Sequence, residues 1–537
     1  MKKYLPKVAY FCMEFGLKNE FKIYAGGLGI LAGDFLKGAK EQNLPVVGIG
    51  IKWKQGYTEQ SIDQQGNIHH NFRNYYYDFL IDTGKEVLVQ IKKKDVWCKI
   101  WKVNCFENAD LFLLDTDIKE NEDTWITRRL YSGYAEQRIA QEMILGIGGI
   151  RALRALGIPI DIYHFNEGHA AFAGIELIRE KMNKGASFKK AWEKTRTEVV
   201  FTTHTPVKAG NEKHEIKSLL AMGSNLHLSQ KQLCFLGGRP FNMTVASLRL
   251  AGKSNAVSKL HQKTANKMWE RTRNKSEIIG ITNAIHVGTW VDKRMRNDFF
   301  DLDEMWYYHM EIKHELIDFI KERQKISLNP DKLLIGFSRR AAPYKRSTLI
   351  FRDENRIKNY LEDAKIQIIF SGKSHPQNII GKSVISNLLK MSRKYPRSVV
   401  FIENYDMEIG RRMTSGCDVW LNNPRRLKEA SGTSGMKAAM NGVLNFSILD
   451  GWWPEVCQDG INGWAIGEKD FPNTIEKQDK KDAKALYDIL LRKIIPTYYN
   501  HHQEWLKMMH NSIYSTKKYF SIHRMLDDYF RLLYVKQ

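Results

Sequence analysis

Cysteine is sparse in this chain of 537 residues: Cys12, Cys98, Cys105, Cys234, Cys417 and Cys457 form neither a CxxC pair nor a dense pattern. That excludes a disulfide scaffold and leads us to expect reduced thiols in a cytoplasmic protein. No stretch approaches the roughly 18 uncharged apolar residues of a spanning helix. The basic start, Met1-Lys2-Lys3-Tyr4-Leu5-Pro6-Lys7, is followed by an apolar run cut at Glu14, too short for a signal core. Neither GxGxxG nor HExxH occurs, so neither a dinucleotide nor a helical zinc pair is implied. Acidic residues are outnumbered, 60 against 83 basic, for a net charge of +23.

Such an excess attracts anions, and nucleic acid is the usual first suspect. The basic residues are interspersed with acidic ones, as in Lys469 to Lys484, so no nucleic-acid partner is expected and the basic surface is read as serving phosphate. With 43% hydrophobic residues over this length, two large domains are the natural division.

Two kinds of segment alternate along the chain. Val8 to Phe11 and Pro45 to Ile51 read as buried strands, separated by the glycine-rich stretch Gly26 to Asp34 that opens a helix. Tyr75 to Val103 reads as an antiparallel insertion, Asn108 to Asp115 as a further strand, and Arg138 to Leu156 as a helix weakened by Gly146, Gly148 and Gly149. Two strands then run into polar groups: Ile160 to Phe165 into Asn166-Glu167-Gly168-His169, and Thr197 to Thr203 into His204-Thr205-Pro206. Open α/β sheets bind ligands just beyond such strand ends. His164, His169 and His204 with Glu167 mimic a metal site, but their spacing favours recognition of a sugar or phosphate, and no metal is expected.

Phe241 to His261 reads as interrupted helices, Gly280 to His286 as a short strand entering a polar loop, and Asp301 to Ile320 as a helix. Leu328-Asn329-Pro330 marks a boundary, after which Lys332–Phe337, Lys365–Phe370, Ser398–Ile402, Asp418–Leu421 and Val443–Ile448 repeat a βαβ rhythm of continuous apolar strands. That pattern predicts a parallel sheet covered on both faces. The last span, from Tyr487, is helical and aromatic.

Three loops of this second half suit phosphate. Arg339, Arg340, Lys345 and Arg346 follow its first strand, either as a solvated helix entrance or as an anion site. Ser371 to Pro376 follows another strand. Glu429 to Gly442, Glu-Ala-Ser-Gly-Thr-Ser-Gly-Met-Lys-Ala-Ala-Met-Asn-Gly, follows a third and opens a helix whose backbone N–H groups suit an anion. Its Lys437 has an amine able to hold a phosphate or a carbonyl cofactor.

That fourteen-residue string resembles the cofactor loop of the α-glucan phosphorylases, the glycogen, starch and maltodextrin phosphorylases. Ordered matches run from Val8-Ala9-Tyr10-Phe11-Cys12-Met13-Glu14-Phe15-Gly16 through Gly26 to Gly29, His164 to His169, Thr203 to Thr205, Asn255 to His261, Thr282-Asn283 and Arg339 to Arg346. The resemblance implies an α/β fold of two Rossmann-like domains facing across a cleft, the glycosyltransferase-B architecture. It divides the chain into 1–328, a glucan-binding domain; 329–490, a cofactor- and phosphate-binding domain; and 491–537, a helical segment returning to the first. It also implies reversible, retaining phosphorolysis of α-1,4-glucan from the nonreducing end, with α-D-glucose 1-phosphate as product.

By the same resemblance, pyridoxal 5'-phosphate is covalently bound at Lys437, with Gly432, Thr433 and Arg339 around its phosphate. Arg340 and Lys345 surround substrate phosphate, while Glu429, Asn283 and His204 contact the glucosyl unit. Gly27 supplies a backbone donor, and Asn166, Glu167 and His169 lie in a loop near the substrate. The implied partners are α-1,4-glucan, inorganic phosphate and glucose 1-phosphate, and a homodimer is common among relatives. Thr433-Ser434-Gly435-Met436 departs from the Thr-Gly-Asn-Met of the long animal and plant enzymes, and Glu167-Gly168 from their Asp-Thr. The chain is also shorter, so neither a phosphorylation switch nor an extended glycogen-storage site is expected. A nucleotide-sugar glycosyltransferase and a noncatalytic carbohydrate-binding protein are the alternatives; the first leaves Lys437 without a purpose.

Overall fold

The computed structural model describes residues 5–297, 301–468, 470, 472 and 474–535. The chain forms two compact units: Met1–Tyr57 with Phe72–His286 and Ile522–Gln537, and Thr58–Asn71 with Val287–Ser521.

The first unit is built on a nine-stranded sheet. Its strands lie in the order Glu277–Gly280, Lys253–Ala256, Val199–Thr203, Ile162–Asn166, Val8–Phe11, Val46–Ile51, Leu111–Asp115, Lys94–Val103 and Ile81–Ile91. The first seven run parallel; the last two form the antiparallel insertion at one edge. Buried Val87, Val89 and Ile91 alternate with exposed neighbours, as a one-sided strand requires. Among the parallel strands the order reverses beside Val8–Phe11, where Ile162–Asn166 is the neighbour. That reversal is the doubly wound switch point.

Glycines 146, 148 and 149 do not end their helix. Gly146 and Gly148 lie in a wide π turn, Ile144–Gly148, after helix Ala135–Met143, and Gly149 opens the helix Gly149–Ala155. A Cβ at Gly146 would lie 2.5 Å from the backbone of Ala173, and one at Gly149 2.6 Å from the ring of Phe11. The glycines are therefore where helix, sheet and neighbouring helix meet closely. Lys253–Ala256 is a strand within the span read as helices. Its buried Ser254 and Asn255 are held by hydrogen bonds, Asn255 through Thr202, so no apolar pattern announced it. The 280s also differ: the strand is Glu277–Gly280, and Ile281 to His286 is the loop beyond it.

The second unit holds a six-stranded, all-parallel sheet in the order Val399–Ile402, Ile366–Ser371, Leu333–Ser338, Val419–Asn422, Leu444–Ile448, Gly463–Ile466. Numbered along the chain this is 3-2-1-4-5-6, with its switch point between Leu333–Ser338 and Val419–Asn422. Leu328-Asn329-Pro330 lies inside this unit. The preceding helix, Leu302–Gln324, buries Leu316, Ile317 and Ile320 in one cluster with Leu334, Ile369 and Val400. Its apolar face binds it to the second sheet, and the change of unit falls at His286. The final helices divide as well: His502–Lys517 belongs to the second unit, Ile522–Asp528 to the first.

A hairpin with no counterpart in the sequence reading, Glu59–Ile62 and Ile68–Asn71, lies with the second unit. Gln60 accepts from the backbone N–H of Ser374, and Lys373 donates to the carbonyl of Thr58.

Candidate active site

Lys437 sits in the helix Thr433–Met440, which starts beyond Gly432 in the left-handed region, φ 96°. Glycine is needed there because a side chain is strained at that φ. Lys437 is buried, and its Nζ lies 3.1 Å from the ring centroid of Trp290. Asn441 fixes that pairing: its Nδ2 donates to the carbonyls of Trp290 and Lys437, and its Oδ1 accepts from the N–H of Asp292. Trp290 and Asn441 were not singled out from the sequence, since only the fold brings residue 290 beneath residue 437.

Buried polar atoms collect in the loop leading to this helix. The side-chain amides of Asn422 and Asn423, the Oγ of Ser431 and the Nε of Arg339 have no hydrogen-bond partner among the described residues. Unsatisfied buried groups of this kind call for a bound polar partner. Together with a helix start and a buried amine, they fit a phosphorylated aldehyde cofactor better than an apolar ligand.

Glu429 is the electrostatic centre. Its Oε2 pairs with the Nη1 of Arg339 and accepts from the Nζ of Lys345 at 2.5 Å. Burial would push this carboxyl up, but Lys345 and then Arg339 outweigh it and hold it at about 2. Asp450, at the end of the next strand, accepts from the backbone N–H groups of Glu429 and Gly451. Burial, and then the charge of Glu429, push Asp450 up to about 7.

The four cations that share one stretch of sequence diverge in space. Arg339 and Lys345 go to Glu429. Arg346 pairs with Asp479 and Asp482, which makes it a brace to the helix Ile475–Ile489. Arg340 alone of the four is exposed. Arg339, Glu429 and their loops lie at the carboxyl ends of the two strands that flank the switch point.

The first unit carries a counterpart built on a neutral histidine. His204 follows the strand Val199–Thr203, and its Nε2–H donates to the Oδ1 of Asn166 at 2.7 Å. Burial, with some help from nearby His261, pushes His204 down to about 3, so the ring is neutral. Glu167 has the strained φ of 72° and accepts from the N–H groups of His204 and Gly168 and the hydroxyl of Thr205. Burial nonetheless raises its pKa. His169 is half-buried, 3.8 Å from Glu212, and Asn283 is buried with an unpartnered Oδ1. Gly27 opens the helix Gly27–Glu41 with nothing within 4 Å of where a Cβ would stand. Beside it, Glu14 accepts from the N–H groups of Ala25 and Gly26. His164 does not join this group, because it bonds Tyr534 and Thr202 in the core.

The carbohydrate phosphorylase family profile matches residues 289–464. A maltodextrin phosphorylase from Thermococcus litoralis is 39% identical over 99% of this chain and 71% of its own length. Glycogen phosphorylases from Aquifex aeolicus and Mycobacterium tuberculosis are each 34% identical, over 99% and 97% of this chain and 87% and 70% of theirs.

Proposed function

From the premise that the chain belongs to the α-glucan phosphorylase family, we propose that Lys437 carries pyridoxal 5'-phosphate and that Arg340, Lys345, Glu429 and His204 serve the reaction. The enzyme is a retaining hexosyltransferase acting on glycogen, starch or maltodextrin, with inorganic phosphate as acceptor and α-D-glucose 1-phosphate as product. The finer fold reading, a glycosyltransferase-B enzyme, belongs to this proposal, as do a homodimer and a cytoplasmic location. Among the described residues no helix is long and apolar enough to cross a membrane.

When bound, the cofactor supplies a 5'-phosphate able to exchange a proton with inorganic phosphate. Gly432, Thr433 and Arg339 would hold that group, the first two through the N–H groups of the helix start. Arg340, exposed and paired with no carboxylate among the described residues, attracts the incoming phosphate, and Lys345 neutralises charge that grows on it in the transition state. Glu429 keeps Lys345 and Arg339 oriented through one carboxylate and offers its other oxygen to a sugar hydroxyl. On the first unit, neutral His204 presents its backbone and ring edge to the glucosyl group, set by Asn166 and Glu167. Asn283 offers its unpartnered Oδ1, Gly27 its N–H, and His169 a ring nitrogen, all to sugar hydroxyls. The charge of His204 would not help there, and burial removes it.

The observation carrying this reading is the buried Lys437 amine against Trp290, on a helix whose approach is lined with unpartnered polar atoms. Mass analysis after borohydride reduction tests it. A peptide containing Lys437 with a reduced pyridoxal 5'-phosphate adduct is expected; the same peptide unmodified in active enzyme refutes the assignment.

A further inference from the structure

A cavity of about 600 Å³ opens in the second unit on the segment just after Trp290. One wall is the chain from Gly288 to Arg296; Glu315 of helix Leu302–Gln324 and Arg411 of helix Met407–Gly416 close the others. Four cations line it, Lys293, Arg294, Arg296 and Arg411, against two carboxylates, Asp292 and Glu315. Arg294 is shared among those two acids and Glu311, with Nε 2.9 Å from Asp292 and Nη1 2.7 Å from Glu315 and 3.6 Å from Glu311. The guanidinium of Arg296 is held by the carbonyls of Gly288 and Val291 and meets no acid among the described residues. Lys293 and Arg411 are exposed, and Arg411 lies near enough to Asp292 for its charge to help hold that carboxyl down. The volume suits a metabolite, and four cations against two lining carboxylates leave an excess of positive charge that suits a phosphate ester, which guanidinium groups bind in pairs of hydrogen bonds.

The cavity wall is tied to the cofactor lysine. Asp292, which faces the cavity, donates its N–H to Asn441 at 2.9 Å, and Asn441 donates to the carbonyls of Trp290 at 3.0 Å and Lys437 at 2.8 Å. A ligand that draws the 288–296 segment toward it therefore acts on the seat of the Trp290 ring under Lys437.

We propose that this cavity binds a small phosphate ester, and that Asn441 couples its occupation to the setting of Trp290 against Lys437. The binding half is independent of the cofactor assignment; the coupling half rests on the reading of Lys437 given above.

The test is calorimetric titration of the full-length holoenzyme with fructose 1,6-bisphosphate at low salt. Saturating inorganic phosphate is included to fill the reaction's own anion site. Binding with one site per chain is expected, weakened about tenfold or more in the double variant Lys293→Ala/Arg411→Ala and weakened by added salt. Both side chains are exposed, so the variant should fold and retain basal activity. No heat at millimolar bisphosphate, or equal affinity in the double variant, overturns the site. For the coupling, bisphosphate is expected to shift the cofactor absorption of the wild type but not of Asn441→Asp, which keeps the side-chain shape and loses both N–H donors. A shift that persists in Asn441→Asp overturns the coupling. Should Lys437 prove to carry no cofactor, the calorimetric result would still decide the site, so the two failures are distinguishable.

Discussion

The switch point of the second unit gathers cations around a carboxylate, whereas the hydrogen-bonded chain at that of the first contains no cation. In the second, Arg339 and Lys345 converge on Glu429, and Asp450 stands behind it. In the first, a neutral histidine, an asparagine and a strained glutamate form a hydrogen-bonded chain without a cation. The topology is similar, so the difference lies in the loops that each strand end carries. The proposed roles accord with this difference: phosphate groups of cofactor and substrate would call for charge, because an anion needs compensation in a dry site. Neutral donors and acceptors belong where a sugar's hydroxyls are read, because hydroxyls offer direction and not charge.

The comparison breaks most visibly at Lys437. Lys437→Ala should lose the covalent cofactor and with it essentially all phosphorolysis, read by the absorption spectrum and by glucose 1-phosphate release. If full activity survives, the charged site has been misassigned. Glu429→Gln leaves two buried cations sharing no anion. Removing one partner of a buried pair costs about 3–5 kcal/mol, so a large fall in unfolding midpoint and a loss of about 100-fold or more in kcat are expected.

Arg340→Ala is gentler because that side chain is exposed. A loss of about 10–100-fold in apparent phosphate affinity, with cofactor content and glucan affinity unchanged, would separate substrate phosphate from cofactor phosphate. His204→Ala should act on the other side of the comparison, reducing kcat/KM for maltodextrin about tenfold or more while leaving phosphate dependence alone. If it weakened phosphate instead, the division of labour would be wrong.

The comparison can also be sharpened through a pH slope. Glu429 is held low, so it contributes stability present above its ordinary pKa and lost as pH falls from about 4.5 to about 2, on the order of 3 kcal/mol in all. Asp450 behaves oppositely. The folded state raises it to about 7 and so holds its proton more tightly than the unfolded chain does. Stability from this group therefore falls as pH rises from about 4 to about 7. Urea midpoints measured across that range should flatten in Asp450→Asn, and an unchanged slope would remove Asp450 from its place behind Glu429.

Much of the second unit was legible because its strands are short, apolar runs: five of its six sheet strands were expected. Gly463–Ile466, the sixth, was not, since one four-residue run among many turns carries too little pattern. Lys253–Ala256 escaped for a related reason, being buried through polar residues. The hairpin Glu59–Ile62 with Ile68–Asn71 is polar and mostly half-buried or exposed, so its period had no apolar face to reveal it. Leu328-Asn329-Pro330 looked like a domain boundary because turn residues mark any turn, whichever unit holds its two sides.

The candidate residues could be named one by one, yet their pairings could not. Arg339, Arg340, Lys345 and Arg346 are nearly equivalent as a string; in the fold two serve Glu429, one braces Asp479 and Asp482, and one remains exposed. Trp290 under Lys437 and Asp450 behind Glu429 are contacts across long stretches of chain, and no local pattern encodes them.

The sequence by itself determined the class of fold, the alternation of strand and helix, and the loops able to do chemistry, because hydrophobic period and turn residues act over a few neighbours. Only the tertiary structure decided which cation meets which carboxylate, which ring covers the lysine, and to which unit a helix or a hairpin belongs. Those choices depend on burial and on distances through space, which arise only once remote segments are brought together.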